Sequence, residues 1–119
     1  MKSHKKEGEI MKIAIPMESD KVCPHFGRAP YFLIANIDNE KKEIINTKVV
    51  ENVPCDGQGH GKAVKILIDE KPDVVICINM GGNSMENLSK RGVEIYTCET
   101  DDVDECIKLY LEGKLEKLN

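Results

Sequence analysis

A continuous apolar run, residues 74–78, constrains the fold of this chain more than any other segment. A strand that is apolar on both faces is typical of the interior of a sheet with helices on both sides. Pro72 ends the helical pattern of residues 62–70 just before the run, and a turn at Gly81 and Gly82 follows it. The run is therefore predicted to be a buried strand between two helices, which places the chain in the α/β class.

The first half of the chain predicts strands only. Residues 10–15 form a short apolar run that ends at Pro16. Residues 31–37 and 44–50 are rich in β-forming residues, and the polar turn of residues 38–42 lies between them. Two strands around a tight polar turn form a hairpin. We therefore expect the first three strands to form an antiparallel meander.

The segment after the apolar run predicts two helices with a strand between them. The first helix is expected to begin at Asn83, because Asn83 and Glu86 have the spacing of a capping box. Residues 93–96 form the next strand, and Asp102 is expected to cap the last helix. The apolar residues of that helix recur at helical spacing: Val103, Cys106, Ile107, Tyr110 and Leu111.

The order of elements is therefore βββαβαβα, with an antiparallel half followed by parallel βα units. This pattern predicts one mixed sheet of five strands in the order 3-2-1-4-5, with helices on its faces, in the ribonuclease H-like class. A chain of 119 residues has the size of one domain. Residues 1–9 are polar and aperiodic after Met1, which indicates a flexible N-terminal arm, and residues 10–119 are expected to form the domain.

Composition argues against several classes of function. The formal net charge is −4 with both signs mixed along the chain, whereas a nucleic-acid-binding protein needs a concentrated basic face. No apolar run approaches the roughly 20 residues needed to span a bilayer, and the polar N-terminus lacks the pattern of a secretory signal. The chain is therefore expected to be cytoplasmic, with no nucleic-acid or membrane partner. Its five cysteines lack regular spacing and are expected to be reduced thiols.

The loop between the first two strands concentrates residues that could bind a ligand. Cys23 and His25 lie two residues apart, and an extended backbone would point both side chains the same way. Thiolate and imidazole suit iron, copper, zinc and metal–sulfur clusters. Gly27 allows a bulky ligand to approach the backbone, and Arg28 offers a cationic fork for an anion. On local chemistry alone, an ordinary turn with an exposed thiol is an equal alternative.

A second loop, rich in glycine, repeats the same ligand types in Cys55 and His60. Its backbone N–H groups and the following helix N-terminus favour an anion, and Lys62 adds positive charge. The loop is not a nucleotide-binding P-loop, because Asp56 and Ala63 stand where that motif requires Gly and Ser or Thr. The plain alternative is a mobile surface loop.

The predicted topology would bring these segments together. Loops that leave the first and fourth strands open at the same end of the sheet, so both loops and the Gly81-Gly82 turn are expected to converge there. A zinc site is disfavoured because the tight paired cysteines of structural zinc are missing. Cys77 and Cys106 lie in apolar patterns and are expected in the core, whereas the position of Cys98 is ambiguous.

Enzymatic activity is not expected from this sequence. A ribonuclease H-type nuclease needs clustered carboxylates for two Mg²⁺ ions, starting on the first strand, and residues 13–17 contain none. A Cys–His nucleophile pair is conceivable, but no local signature of a known cysteine hydrolase is present. Binding is therefore favoured over catalysis.

Four segments carry a resemblance: residues 11–16, the His-Phe-Gly-Arg-Ala-Pro-Tyr-Phe sequence of residues 25–32, the Gly-His-Gly of residues 59–61 and residues 92–96. Together they resemble the dinitrogenase iron–molybdenum cofactor biosynthesis family, small domains related to the nitrogenase accessory proteins NifX, NafY and the C-terminal part of NifB. The resemblance implies a ribonuclease H-like fold and a carrier that binds iron–molybdenum cofactor or its precursor and hands it on. Stand-alone members occur in organisms that fix no nitrogen, so it supports cluster binding better than nitrogenase assembly.

The resemblance implies that His25 is the leading metal ligand, with Cys23 and His60 as further ligands. The remaining expected site residues are Cys55, Arg28, Gly27, Gly81 and Gly82. We therefore expect a carrier or assembly accessory protein for iron–molybdenum cofactor, its precursor or a related iron–sulfur or mixed-metal cluster, which is easily lost during purification. Expected partners are cluster-donor and cluster-acceptor proteins, and the chain itself is expected to be a monomer or weak homodimer. The alternative is a metal-independent regulatory or binding module that recognises an anionic ligand or a partner protein through its glycine-rich loop.

Overall fold

The computed structural model describes the backbone of residues 10–52 and 59–119 and the side chains of residues 10–52 and 65–119. Strands and helices alternate in the second half of the chain, as predicted. The described strands are β1 (Ile10–Glu18), β2 (Lys21–Val22), β3 (Tyr31–Asp38), β4 (Glu43–Glu51), β5 (Val74–Cys77), β6 (Glu94–Thr97) and β7 (Glu116–Lys117). The described helices are a 3₁₀ turn (Phe26–Arg28), α1 (Gly59–Glu70), α2 (Gly82–Ser89) and α3 (Val103–Leu111).

All the described strands belong to one mixed sheet. Its order is β4-β3-β1-β5-β6-β7, and β2 pairs with β1 outside this path. The pairs β1–β3 and β3–β4 are antiparallel, which confirms the meander, and the pairs β1–β5 and β5–β6 are parallel. The five longer strands lie in the predicted order 3-2-1-4-5. The predicted number of strands is wrong, because the sheet has seven strands within the described residues. The two additional strands, β2 and β7, are two residues long and too short to show a periodic pattern.

The first strand extends further than its apolar run suggested. It was expected to end at Pro16, yet Pro16 pairs with Phe32 inside β1. Proline lacks the N–H group that a central strand uses in its ladder. The registered pairs between β1 and β5 are limited to Ile13 with Val74 and Ala14 with Val75. Pro16 therefore lies beyond the parallel ladder, where its missing N–H group costs no bond to β5.

The two predicted helix caps had different outcomes. The capping box at Asn83 is wrong, because α2 begins at Gly82 with Gly81 as its N-cap, and no side chain caps it. The backbone turns into the helix directly after the glycine turn, so Asn83 already lies inside α2. The cap at Asp102 is confirmed, since its carboxylate accepts hydrogen bonds from the N–H groups of Asp104 and Glu105 at 3.0 and 3.2 Å.

The core is divided between the two faces of the sheet. Alternate residues of β5 belong to opposite clusters, so the apolar run is buried on both sides as predicted. One cluster packs β5 against α1 and α2 and contains Ala14, Phe32, Leu67, Val75 and Leu88. The other packs β5 against α3 and contains Ile13, Ile37, Val74, Ile76 and Ile107. Within the described residues, no helix is both long and apolar enough to cross a membrane.

Candidate functional site

A cleft of about 420 Å³ lies at one end of the sheet, between the loop after β2 and the loop after β5. Because β1 and β5 are parallel neighbours, the segments that follow them leave the sheet at the same end. One wall consists of Pro24, His25, Phe26, Gly27 and Arg28, and the other of Asn79, Met80, Gly81, Gly82, Asn83 and Ser84. The structure therefore brings five of the predicted site residues together: His25, Gly27, Arg28, Gly81 and Gly82.

His25 presents its imidazole to this cleft from a backbone that is fixed. His25 is the N-cap residue of the 3₁₀ turn, and its carbonyl oxygen accepts from the N–H group of Arg28 at 3.1 Å. The side chain is exposed, and it makes no hydrogen bond to any other described residue. A neutral imidazole in this position retains a nitrogen lone pair for a ligand.

Cys23 does not line the cleft. Its side chain is 3% exposed and lies in the core cluster beside Phe26. The thiol donates to the carbonyl oxygen of His25, with 3.4 Å between Sγ and O, and lies 3.8 Å from Oε1 of Glu18. Burial raises the pKa of the Cys23 thiol, and the nearby Glu18 carboxylate adds to this rise. The thiol is therefore protonated near neutral pH, and its hydrogen bond to the His25 carbonyl oxygen helps to hold the His25 backbone in place.

The expectation that Cys23 and His25 point the same way is wrong, because one is buried and the other exposed. That expectation assumed an extended backbone through both residues. Instead, the N–H group of Cys23 donates to the carbonyl oxygen of Pro16 at 2.8 Å, which fixes Cys23 against β1. The chain then enters the 3₁₀ turn directly after His25.

Aromatic packing and a buried amide hold the His25 loop on the sheet. Phe26 is 2% exposed, and its ring centroid lies 5.6 Å from that of Phe32 on β3. The side-chain amide of Asn52 donates to the carbonyl oxygen of Ala29 at 2.7 Å. Asn52 was missed from the sequence, because a single Asn after a strand carries no motif. Its role follows only from its position beside the loop in the folded chain.

The opposite wall is the N-terminus of α2. The first three N–H groups of this helix, those of Gly82, Asn83 and Ser84, precede the first bond of the helix, which joins the N–H of Met85 to the carbonyl oxygen of Gly81. Unpaired N–H groups and the positive end of the helix dipole favour an anion. The guanidinium of Arg28 is exposed on the facing wall. The cleft therefore combines a soft nitrogen ligand with a positive electrostatic environment.

The two glycines keep this wall open. A Cβ atom built on Gly81 or Gly82 would meet no other atom within 4 Å. Gly81 has φ −69°, a value that any residue adopts, so neither packing nor backbone conformation requires glycine there. A side chain at either position would instead occupy space at the edge of the cleft. Such an open wall fits a bulky group that approaches the backbone closely.

The second predicted loop is only partly covered by the structure. Cys55 lies outside the described residues, and His60 and Lys62 belong to α1 in a part where the side chains are not described. Helix α1 packs against both the 3₁₀ turn and α2, so it adjoins both walls of the cleft. Among the described residues, no three Cys, His, Asp or Glu side chains come together as a metal site.

The fold and the cleft together define a class of protein, a small mixed α/β protein with a cleft at one end of its sheet. The sequence profile of the family described as dinitrogenase iron-molybdenum cofactor matches residues 9–113, so the chain belongs to this family. The family assignment made from the sequence is thereby confirmed.

Relatives of known sequence or structure match nearly the whole chain. An uncharacterized protein of Methanocaldococcus jannaschii, MJ0580, is 37% identical, with 92% of each chain covered. A second protein from that organism, MJ0327, is 38% identical in sequence, and its crystal structure matches this fold with a TM-score of 0.76. The match covers 92% of this chain and 95% of the MJ0327 chain. The protein TM1290 from Thermotoga, of the DUF35 family, is 35% identical in sequence, and its NMR structure has a TM-score of 0.70. The match covers 91% of this chain and 93% of the TM1290 chain.

Proposed function

We propose that this chain binds iron–molybdenum cofactor, its precursor or a related iron–sulfur or mixed-metal cluster and transfers it as a carrier or assembly accessory protein. The observation that carries the proposal is the exposed imidazole of His25, which faces the N-terminus of α2 across a cleft of about 420 Å³. Membership of the dinitrogenase iron-molybdenum cofactor family supports this choice of cargo over other soft-ligand groups.

Each residue of the cleft has a role in this proposal. His25 ligates a metal of the cluster, since a neutral imidazole is a good ligand for iron. Arg28 and the N–H groups at the start of α2 offset the negative charge of the cluster and its sulfides. Gly27, Gly81 and Gly82 let the cluster approach the backbone. These contacts hold the cargo mainly by hydrogen bonds and charge.

The other predicted ligands complete the proposal. His60, near the start of α1, and Cys55, which precedes α1 in the sequence, supply further ligands or hydrogen bonds. Cys23 would ligate only after its loop moved away from the core, because its thiol is buried and its pKa is raised. In the cleft as it stands, Cys23 positions His25 through its bond to the His25 carbonyl oxygen.

A carrier must release its cargo as well as bind it. Closed sites with four thiolate ligands hold metal tightly, whereas an open cleft with few protein ligands allows exchange. We therefore propose cluster-donor and cluster-acceptor proteins as partners, a cytoplasmic location, a monomer or weak homodimer, and no catalytic step. A ribonuclease H-like classification of the fold belongs to the same proposal.

Anaerobic reconstitution tests the role of His25. Protein purified without oxygen is incubated with the cluster or with iron and sulfide, desalted, and assayed for bound metal and visible absorption. His25→Ala is expected to lose most of the bound metal. His4→Ala is the matched control, because it removes a histidine that is not among the predicted site residues, and it should bind as the parent does. Equal metal content in His25→Ala and the parent would show that His25 is not a ligand.

The α2 N-terminus also supports the second candidate, a metal-independent module for an anionic ligand or partner protein. Three helix N–H groups and Arg28 suffice to bind a phosphate-like anion without metal. Binding of inorganic phosphate in the presence of a strong chelator, equal in His25→Ala and the parent but lost in Arg28→Ala, would favour this function. Loss of all binding on chelation would exclude it.

A further inference from the structure

Two cysteines outside the cleft lie in direct contact. Cys98 follows β6 and Cys106 lies in α3, and both are buried, at 2% and 0% exposure. Their Sγ atoms are 2.6 Å apart. This separation is well inside the contact distance of two unbonded sulfur atoms and approaches the length of about 2.05 Å of a disulfide bond. The fold therefore holds the sulfur atoms of these two thiols close to bonding distance.

The loop between β6 and α3 produces this contact. The carbonyl oxygen of Thr100 lies 3.4 Å from the Sγ atoms of both Cys98 and Cys106. The hydroxyl of Thr100 accepts from the N–H group of Asp102 at 3.1 Å, and Asp102 in turn caps α3. The loop thus folds back on itself and places Cys98 directly over the first turn of the helix. The two cysteines are eight residues apart in the sequence.

We propose that Cys98 and Cys106 form a reversible disulfide bond, and that this bond locks the loop between β6 and α3. The bond forms by exchange with a low-molecular-weight disulfide, R–S–S–R. When the loop between β6 and α3 opens and exposes Cys98, the Cys98 thiolate attacks one sulfur of this oxidant, forms a mixed disulfide and releases a thiolate that is protonated to R–SH. Cys106 then attacks Sγ of Cys98, forms the internal bond and releases the second R–SH. Two electrons pass from the protein to the oxidant, and the two thiol protons end on the two R–SH molecules.

The electrostatic environment supports the order of these two steps. The Cys106 thiol donates a hydrogen bond to the sulfur of Cys98, which lowers the pKa of Cys98 and raises that of Cys106. Cys98 is therefore the thiolate that forms first. A depression of about 300 Å³ beside the pair is lined by Glu99, Thr100, Asp102, Glu105 and Leu109. Its three carboxylates favour a cationic oxidant, so cystamine is the suitable probe.

The loop also connects the two segments that lead into the cleft. The carbonyl oxygen of Asp101 accepts from the N–H group of Val22 at 2.8 Å, and Val22 directly precedes the His25 loop. The hydroxyl of Thr97 donates to the carbonyl oxygen of Ile78 at 3.1 Å, and Ile78 directly precedes the Asn79 wall. A bond between Cys98 and α3 therefore restrains both walls of the cleft at their base. The bond itself would form whether or not the cleft binds a cluster.

Tryptic mapping tests the bond without any variant. Trypsin releases residues 92–108 as one peptide that contains both Cys98 and Cys106, whereas Cys23, Cys55 and Cys77 lie on other peptides. Native protein is treated with cystamine, denatured, alkylated and digested. We expect this peptide to lose two hydrogens and to resist alkylation, and dithiothreitol to restore two alkylated cysteines. Full alkylation of both residues after cystamine, or a link from either one to a different peptide, would overturn the proposal.

Two variants and an exchange measurement complete the test. Cys98→Ser should abolish the two-hydrogen loss in this peptide, whereas Cys77→Ala, which removes another buried cysteine, should leave it intact. In the oxidised protein, the Val22 amide should exchange with deuterium about tenfold more slowly than in the reduced protein. Equal exchange rates in the two states would refute the locking of the loop, even if the bond forms.

Discussion

The side-chain amide of Asn52 donates a hydrogen bond to the carbonyl oxygen of Ala29, with 2.7 Å between nitrogen and oxygen. Asn52 is 5% exposed, and its backbone N–H group donates to the carbonyl oxygen of Pro30 at 3.0 Å. Because Asn52 directly follows β4, these two bonds fasten the end of an edge strand to the loop that carries His25. The position of His25 in the cleft thus depends on a residue far from it in sequence.

Asn52→Ala is expected to lower the free energy of unfolding by about 1–3 kcal/mol, because it leaves the buried carbonyl oxygen of Ala29 without its donor. Urea denaturation measures this change. Asn46→Ala is the matched control, since Asn46 accepts an exposed hydrogen bond from Asn36 on the same pair of strands. The control should stay within about 0.5 kcal/mol of the parent. If both variants lost equal amounts of stability, the hydrogen bond to Ala29 would contribute no more than an exposed hydrogen bond.

Gly82→Leu is expected to keep the fold but to weaken ligand binding in the cleft. A Cβ atom at Gly82 meets nothing within 4 Å, so a side chain can start there without a backbone clash, and the rest of the leucine should occupy part of the cleft. The thermal midpoint should change little, and metal retained after anaerobic reconstitution should fall.

Gly92→Ala is the control, and it is expected to have the opposite effects on stability and metal binding. Gly92 has φ +82°, a left-handed conformation that costs an alanine about 1–2 kcal/mol. This variant should lose stability and keep its capacity for metal. If Gly82→Leu bound metal as well as the parent does, the cleft would not be the binding site.

Asp102→Ala is expected to destabilise the protein by about 1 kcal/mol, because α3 loses the carboxylate that accepts from the N–H groups of Asp104 and Glu105. Thermal unfolding followed by circular dichroism measures the loss. Asp101→Ala is the matched control, since the Asp101 side chain makes only an exposed contact of 3.8 Å with Lys21. A control that lost as much stability as Asp102→Ala would assign the effect to net charge rather than to the cap.

Stability is expected to fall as the pH rises above 9. Burial raises the pKa of the Cys77 thiol from its ordinary value of 9.0 to about 12, with a smaller contribution from Cys98. The folded protein therefore keeps the Cys77 proton at a pH where the unfolded chain releases it, so the stabilisation is complete below pH 9 and is lost as the pH rises to about 12. Burial raises the pKa of Tyr110 to about 12 as well, and its contribution falls from about pH 10 upward.

Urea denaturation at several pH values between about 8 and 11 measures this decline. Cys77→Ala should decline less steeply than the parent, because it has no thiol at this position. If the stability of Cys77→Ala and of the parent fell in parallel with pH, the decline would come from other groups. Tyr110 would be the first of these to examine.

Most of the fold could be predicted from local patterns. The apolar run at β5, the hairpin of β3 and β4 and the period of α3 each determine one element, and the handedness of parallel crossovers then limits the strand order. The two-residue strands β2 and β7 could not be predicted, since they exist only through partners supplied by β1 and β6. Likewise, Pro16 continues β1 because β5 stops pairing earlier, a fact that is absent from the local sequence.

The site was predicted less well than the fold. The convergence of His25, Arg28, Gly81 and Gly82 followed from topology, because the chain segments that follow the parallel neighbours β1 and β5 leave the sheet at the same end. The burial of Cys23 could not be predicted from topology. The two-residue spacing of Cys23 and His25 predicts side chains on one side only if the backbone is extended through both residues. The pairing of Cys98 with Cys106 was also missed, because a thiol after a strand and a thiol on a helix show no common pattern in the sequence.

The His25 wall of the cleft follows β1 through the short strand β2, and the opposite wall follows β5. Strands β1 and β5 pair directly, at Ile13 with Val74 and at Ala14 with Val75, and all four residues are fully buried. Both walls are therefore carried by strands of one sheet, and the paired residues of those strands lie in its core. For the proposed carrier, cargo would therefore enter and leave through movements of the two loops. Such loop movements occur in nanoseconds to microseconds, so the speed of a handover between proteins would be set by their encounter and by ligand exchange at the metal.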